Sequence, residues 1–85
     1  MSGDKTRIIR LLRTARGQVE GIIKMIENDR YCVDVSNQIM ASQAILSKVN
    51  NEILLAHIEN CVLNAPVEEQ EEKMKELATV LDNMY

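Results

Sequence analysis

Eighty-five residues that are 46% hydrophobic, with no Phe and no Trp, make one small domain (residues 1–85) with an aliphatic core. A core that small is marginal alone, which favours obligate oligomerisation; no apolar run nears the ~20 residues of a membrane span, which argues for a cytoplasmic protein without a membrane partner. The net charge of −3 argues weakly against nucleic acid but hides an asymmetry: residues 1–30 carry seven basic side chains against four acidic, and residues 66–85 carry two against six, so the first segment has its own basic footprint.

Met1 to Arg16 is polar and basic and does not read as a signal peptide. Ser2 or Asp4 can cap a first helix over about residues 5–28. In it Ile8, Leu12, Ala15, Val19, Ile22 and Ile26 alternate steps of four and three, a heptad seam. Gly17 and Gly21 interrupt it, each at a cost of roughly 1 kcal/mol against Ala. Close approach of a neighbouring helix is the simplest reason for them. Arg7, Arg10, Arg13 and Arg16 step by three and wind around the helix. They suit either a solvated face with pairs such as Arg16–Glu20 or a surface for phosphates.

Asn28-Asp29-Arg30-Tyr31 is the best place for a turn, although it holds neither Gly nor Pro. No Gly or Pro follows until Pro66, so a long second helix is expected over about residues 32–64. Val35, Ile39, Ser42, Leu46, Val49, Ile53, Ala56 and Leu63 continue the heptad spacing. A second apolar line passes through Ala41, Ala44, Ile45, Leu55, Ile58 and Val62, so this helix must be buried on two sides. Lys48 stands alone in its middle. Pro66 ends the helix, because the residue before Pro disfavours helical geometry, and suits the first turn of a third helix over about residues 67–83. Val67, Met74, Leu77, Val80 and Leu81 share one side of it, and Glu68 to Glu72 lie near its positive end. The fold class is all-α: a three-helix protomer with a long central helix.

That central helix carries the candidate chemistry. On one helix rising ~1.5 Å per residue, Cys32 and Cys61 stand about 43 Å apart and cannot meet within one chain. His57 and Cys61, at i and i+4, share a face. An antiparallel copy would bring Cys32 of one subunit to the His57–Cys61 pair of the other, twice per two-fold dimer. Two thiolates and one imidazole suit Cu(I), which accepts three ligands; Zn(II) wants a fourth, and there is no second His. Spacing alone fits equally a lone His and a buried Cys in a bundle core. Thiol redox is the rival chemistry, with the two cysteines bridged across the interface as a disulfide or polysulfide. A purely structural helical oligomer is a third reading. There is no paired-carboxylate, nucleophile–base or phosphate-loop motif of an enzyme. Neither joint reads as a helix-turn-helix, so any DNA would be held by phosphate contact and groove shape.

Several runs together carry a resemblance. They are Arg16-Gly17-Gln18-Val19-Glu20-Gly21-Ile22, Met25-Ile26-Glu27-Asn28-Asp29-Arg30-Tyr31-Cys32-Val33-Asp34-Val35, Gln38-Ile39, Lys48-Val49, and His57 with Cys61-Val62. Over roughly residues 7–64 the chain resembles the copper-sensing repressor family (CsoR, with its relatives RcnR and FrmR). The resemblance implies an antiparallel four-helix-bundle dimer assembling into a flat dimer of dimers. It implies operator DNA bound in the metal-free form, released on Cu(I) binding, and control of copper efflux genes. By the same resemblance Cys32, His57 and Cys61 are the metal ligands. Tyr31 matches a tyrosine that supports them from outside the coordination sphere, and Glu76 is a looser match to a supporting glutamate. Arg13 and Lys48 match DNA-contacting positions, with Arg10 and Arg16 as helpers. Nickel and cobalt sensors of this kind need more histidines, and formaldehyde sensors a proline near the N-terminus; this chain has neither. Persulfide sensors keep both cysteines and typically lack the histidine, so His57 favours copper and leaves persulfide as the alternative inducer.

Overall fold

The computed structural model describes residues 5–59 and 63–84. Three helices follow in order: α1 Lys5–Glu27, α2 Cys32–His57 and α3 Val67–Met84. No strand occurs among the described residues, and no helix there is long and apolar enough to cross a membrane. Two compact units divide the chain. One holds α1 and α2 as far as Asn51; the other begins at Glu52 and holds the end of α2 together with α3.

The first unit is an antiparallel helical hairpin. α1 buries Ile8, Ala15 and Ile22, each seven residues after the last, and α2 answers with buried Ser42 and Val49, also seven apart. The heptad spacing in the sequence thus becomes the seam between the helices. Ser42 is the one buried polar side chain among the described residues, and its Oγ donates to Gln18 Oε1 at 2.9 Å. A buried hydroxyl left unpaired would cost about 1–3 kcal/mol, so this bond removes a penalty and fixes register. Gln18 stands nine residues before Glu27 and Ser42 ten after Cys32, so the helices run back alongside each other from the turn.

The turn has a definite chemistry. Asp29 N–H donates to Ile26 O at 3.1 Å and Arg30 N–H to Met25 O at 2.9 Å, while Asp29 takes a left-handed φ of 53°. This is the paired-bond ending that usually carries Gly at the left-handed position. Asp tolerates that region better than most side chains, which is how α1 stops sharply without Gly or Pro.

Only part of each heptad line is buried in the protomer. Leu12, Val19 and Ile26 on α1, and Ile39 and Leu46 on α2, remain exposed beside the seam. On the second apolar line Ala41, Ala44 and Leu55 are exposed as well. No helix of the same protomer crowds Gly17 or Gly21: a Cβ at either would meet nothing within 4 Å. Both glycines face open space in the protomer, so no packing within the chain accounts for them.

In the second unit Ala56 and Leu77 are buried, while Val67, Met74, Val80 and Leu81 are exposed. The α-helical part of α2 runs to His57 and wider helical geometry follows at residues 58–59, while residues 60–62 of the expected helix lie outside the described residues. Leu63 N–H donates to Ile58 O at 3.0 Å, a wide i→i+5 turn. The side chain of Asn64 takes Glu59 O at 3.0 Å, and Gln70 Nε2 reaches back from α3 to Ala65 O at 3.1 Å and Leu63 O at 3.4 Å. Carbonyls that a finishing helix leaves without partners are met here by side chains, and Pro66, which has no N–H, cannot extend the ladder.

Candidate functional site

Cys32 is the first residue of α2. Tyr31, just outside, accepts from Val35 N–H at 3.2 Å and so starts the α2 ladder with its carbonyl. The Cys32 thiol is free and exposed. It borders an open groove of about 360 Å³ whose walls include Ile26, Arg30 and Val35, where α1 gives way to α2. Tyr31 is 67% exposed, held by its backbone and not by its ring.

His57 is the last α-helical residue of α2 and is half-buried. Twenty-five residue steps at ~1.5 Å place it about 38 Å from Cys32 along a single helix. Cys61 lies outside the described residues, so its same-face relation to His57 is not described either. Among the described residues no group of three His, Cys, Asp or Glu side chains could hold a metal ion. Glu76 is exposed on α3, next to buried Leu77.

The basic residues cluster at the other end of the hairpin. Arg10, Arg13 and Arg16 are exposed on α1, and none forms an ion pair among the described residues, Glu20 included. Steps of three turn each side chain ~60° from the last at 3.6 residues per turn, so the three cover about a third of the helix surface. Arg10 and Arg13 flank an open groove of about 320 Å³ with Thr6 and Ile9. The Gln18–Ser42 bond sets Lys48, six residues further along α2, level with residue 12 of the antiparallel α1. Lys48 is exposed and therefore stands at the height of Arg10 and Arg13. The hairpin has a thiol at its turn and a guanidinium–ammonium cluster toward its open end, about 24 Å apart along α2 by helical rise.

Sequence reasoning gave no role to the side chains of Gln18 and Gln70, and took Asn64 only as part of the run Asn64-Ala65-Pro66 that ends the second helix. Gln18 occupies a position between two glycines on a helix, where a glutamine carries no signal of a buried partner. Asn64 and Gln70 stand close to Pro66, and an amide side chain near a helix end is the recognisable sign of a carbonyl waiting to be met.

Comparison with known proteins adds four findings. Residues 4–83 match the family described as metal-sensitive transcriptional repressor. The copper-sensing transcriptional repressor CsoR of Bacillus subtilis (strain 168) is 45% identical over 64 residues, which is 75% of this chain and 63% of that protein. The repressor of the same name from Mycobacterium ulcerans is 43% identical over 61 residues, 72% of this chain and 52% of that protein. The chain thus spans little more than half the length of the curated relatives it matches. A crystal structure of the copper-sensing repressor CsoR with Cu(I) from Geobacillus thermodenitrificans superposes with a TM-score of 0.87 at 35% identity, covering 99% of this chain and 92% of that one.

Proposed function

Because this chain belongs to the metal-sensitive transcriptional repressor family, whose members are regulators and not enzymes, we propose that it holds operator DNA in its metal-free form and releases it when Cu(I) binds between subunits. Cys32 of one subunit and His57 with Cys61 of its partner are the ligands. The observation that carries this reading is α2 itself: one unbroken helix puts Cys32 and His57 at opposite ends, so only a second chain can bring their kind together. The donor set fits the metal, since two thiolates and an imidazole suit a soft cation that accepts three ligands. The exposed, free Cys32 thiol is available to a partner, and among the described residues it belongs to no group of three side chains able to hold a metal ion.

When bound, Cu(I) supplies a soft cation for which the three side chains converge. The chain's residues do the rest. Cys32 sits at the hairpin turn, so drawing it toward a partner's His57 shifts one rigid hairpin against the other. Arg10, Arg13 and Arg16 on α1 and Lys48 on α2 ride on the same hairpin, and a shift moves them out of register with the phosphates. A coupling of about 1–3 kcal/mol between the two sites is the usual range for such linkage. Thiols and imidazole must shed protons to bind, so copper affinity rises with pH. Tyr31 and Glu76 support the ligands from outside the coordination sphere.

The test is a mobility shift on the protein's own promoter at two or more salt concentrations, followed by anaerobic Cu(I). Binding without metal and release with it are expected; a protein that ignores the promoter, or stays bound with copper, overturns the reading. Arg13→Ala and Lys48→Ala should each weaken metal-free binding and lower the slope of log affinity against log salt by about 0.9 for each phosphate left without its cation. Copper affinity should be unchanged in both. An unaltered salt slope would remove these residues from the DNA surface.

A further inference from the structure

The seam between α1 and α2 is aliphatic except at one level. Ile8, Ala15, Ile22 and Val49 are buried there, and among them Ser42, 5% exposed, is the one buried polar side chain among the described residues. Its Oγ donates to Oε1 of half-buried Gln18 at 2.9 Å. All of these residues lie in the unit Asp4–Asn51. A polar residue in such a seam specifies register at the expense of stability. Apolar contact has no preferred direction, so an aliphatic seam tolerates sliding and rolling of one helix on the other. A hydrogen bond sets a distance and an angle and resists both.

The place of this pair along the hairpin shows what it holds. The turn joins the helices at one end. Ser42 stands ten residues after Cys32, ~15 Å along α2, and Lys48 a further six residues, ~9 Å, beyond it. On α1, Arg10 and Arg13 precede Gln18 by eight and five residues, ~12 Å and ~8 Å. The basic cluster therefore lies past the pair, toward the open end, where the turn restrains it least. A roll of α2 by ~20° would carry a charge ~6 Å from the helix axis by about 2 Å. A shift of that size takes an ammonium out of hydrogen-bond reach of a phosphate.

We infer that Gln18 and Ser42 are positioning residues for operator binding: their hydrogen bond holds Lys48 of α2 in register with Arg10 and Arg13 of α1, so that one run of phosphates meets all three. The inference rests on the DNA reading above and adds two residues that act through Lys48. A seam built for stability alone has no use for a serine at this level. A seam that must present cations from two helices to a rigid duplex does.

The experiment uses the full metal-free chain, with thermal unfolding and promoter binding over a salt series read on each variant. Gln18→Met and Ser42→Ala, made together, exchange the pair for apolar side chains of similar size. Neither partner is left unpaired, so the exchange is neutral or stabilising. Ser42→Thr keeps the hydroxyl. Lys48→Ala is made both in wild type and in the double variant. The double variant should melt at or above the wild-type temperature, yet bind the promoter about 10-fold more weakly, with a salt slope lower by about 0.9 for the one phosphate lost. Ser42→Thr should bind like wild type. Lys48→Ala should weaken wild type but change the double variant by about twofold or less, because its contact is already gone; costs at sites that do not communicate simply add. If wild type binds the promoter and the double variant matches it in affinity and salt slope, this inference is wrong and the DNA reading survives. If wild type does not bind the promoter, both fall together. A double variant that melts below wild type, or in which Lys48→Ala keeps its full cost, assigns the pair to general packing and also overturns the inference.

Discussion

Cys32→Ala should abolish the copper response and leave metal-free operator binding intact. Cys32 is exposed at the first position of α2 and makes no contact on which the hairpin core depends. Removing its sulfur therefore costs little in folding, and Ala is the best residue for a helix. The cost falls on the metal. Structural zinc sites in peptides gain ~10–16 kcal/mol from four ligands, roughly 3 kcal/mol for each, so removing one thiolate weakens binding by more than about 100-fold. Titration with Cu(I) under anaerobic conditions, followed by release of labelled DNA, measures both quantities. His57→Ala should weaken the response less, because the two thiolates remain. A normal copper response in His57→Ala would overturn the three-ligand copper site; the alternative, in which Cys32 and Cys61 of neighbouring subunits become bridged by sulfur, predicts release of DNA under sulfide stress that is insensitive to loss of His57. On that alternative, mass spectrometry of the protein from sulfide-stressed cells finds the cross-linked dimer.

Leu46→Glu should break the assembly. Leu46 is 48% exposed in the protomer and lies in the row that Leu12, Val19, Ile26 and Ile39 form beside the buried seam. A row of large apolar side chains of this kind marks an interface. Burying a leucine contributes about 1.5–3 kcal/mol, and a two-fold axis counts it twice per dimer. A carboxylate at the same place must be desolvated without a partner, which costs several kcal/mol more. Light scattering should show the wild type as a dimer of dimers and Leu46→Glu as dissociated and largely unfolded at low micromolar concentration. An unchanged assembly would place the interface on another face.

Much of the architecture can be read from residue spacing, because heptads and hairpins are local rules. Ile8, Ala15 and Ile22 recur every seven residues and meet Ser42 and Val49 as that period requires. What spacing does not separate is which half of each heptad line faces its own chain and which half waits for another. Leu12 and Ile8 look alike in sequence and differ only in what stands opposite. Gly17 and Gly21 fail as pointers to a neighbour within the chain for the same reason. Asp29 is legible in principle, since Asn and Asp are the non-glycine residues that accept a left-handed φ.

The candidate site is legible in its separation and not in its closure. The 26 residues of helix from Cys32 to His57 follow from an absence of Gly and Pro, and the structure carries them as one element. In the proposed site Cys32 meets its partners on a second subunit, so the closure is not a feature of one protomer. Lys48 gains meaning only from the Gln18–Ser42 bond, which sets it at the height of Arg10 and Arg13. Charge alone leaves it a solitary lysine in the middle of a helix.

Subunit mixing tests the shared site most directly. Cys32→Ala and Cys61→Ala proteins, each unable to hold copper tightly, are unfolded together and refolded as a one-to-one mixture. A mixed dimer then has one pocket without either sulfur and one with all three ligands present. Random pairing should therefore restore about a quarter of the wild-type number of tight Cu(I) sites. A mixture that binds no more copper than either parent would mean that each chain builds its site alone, and the account would be wrong.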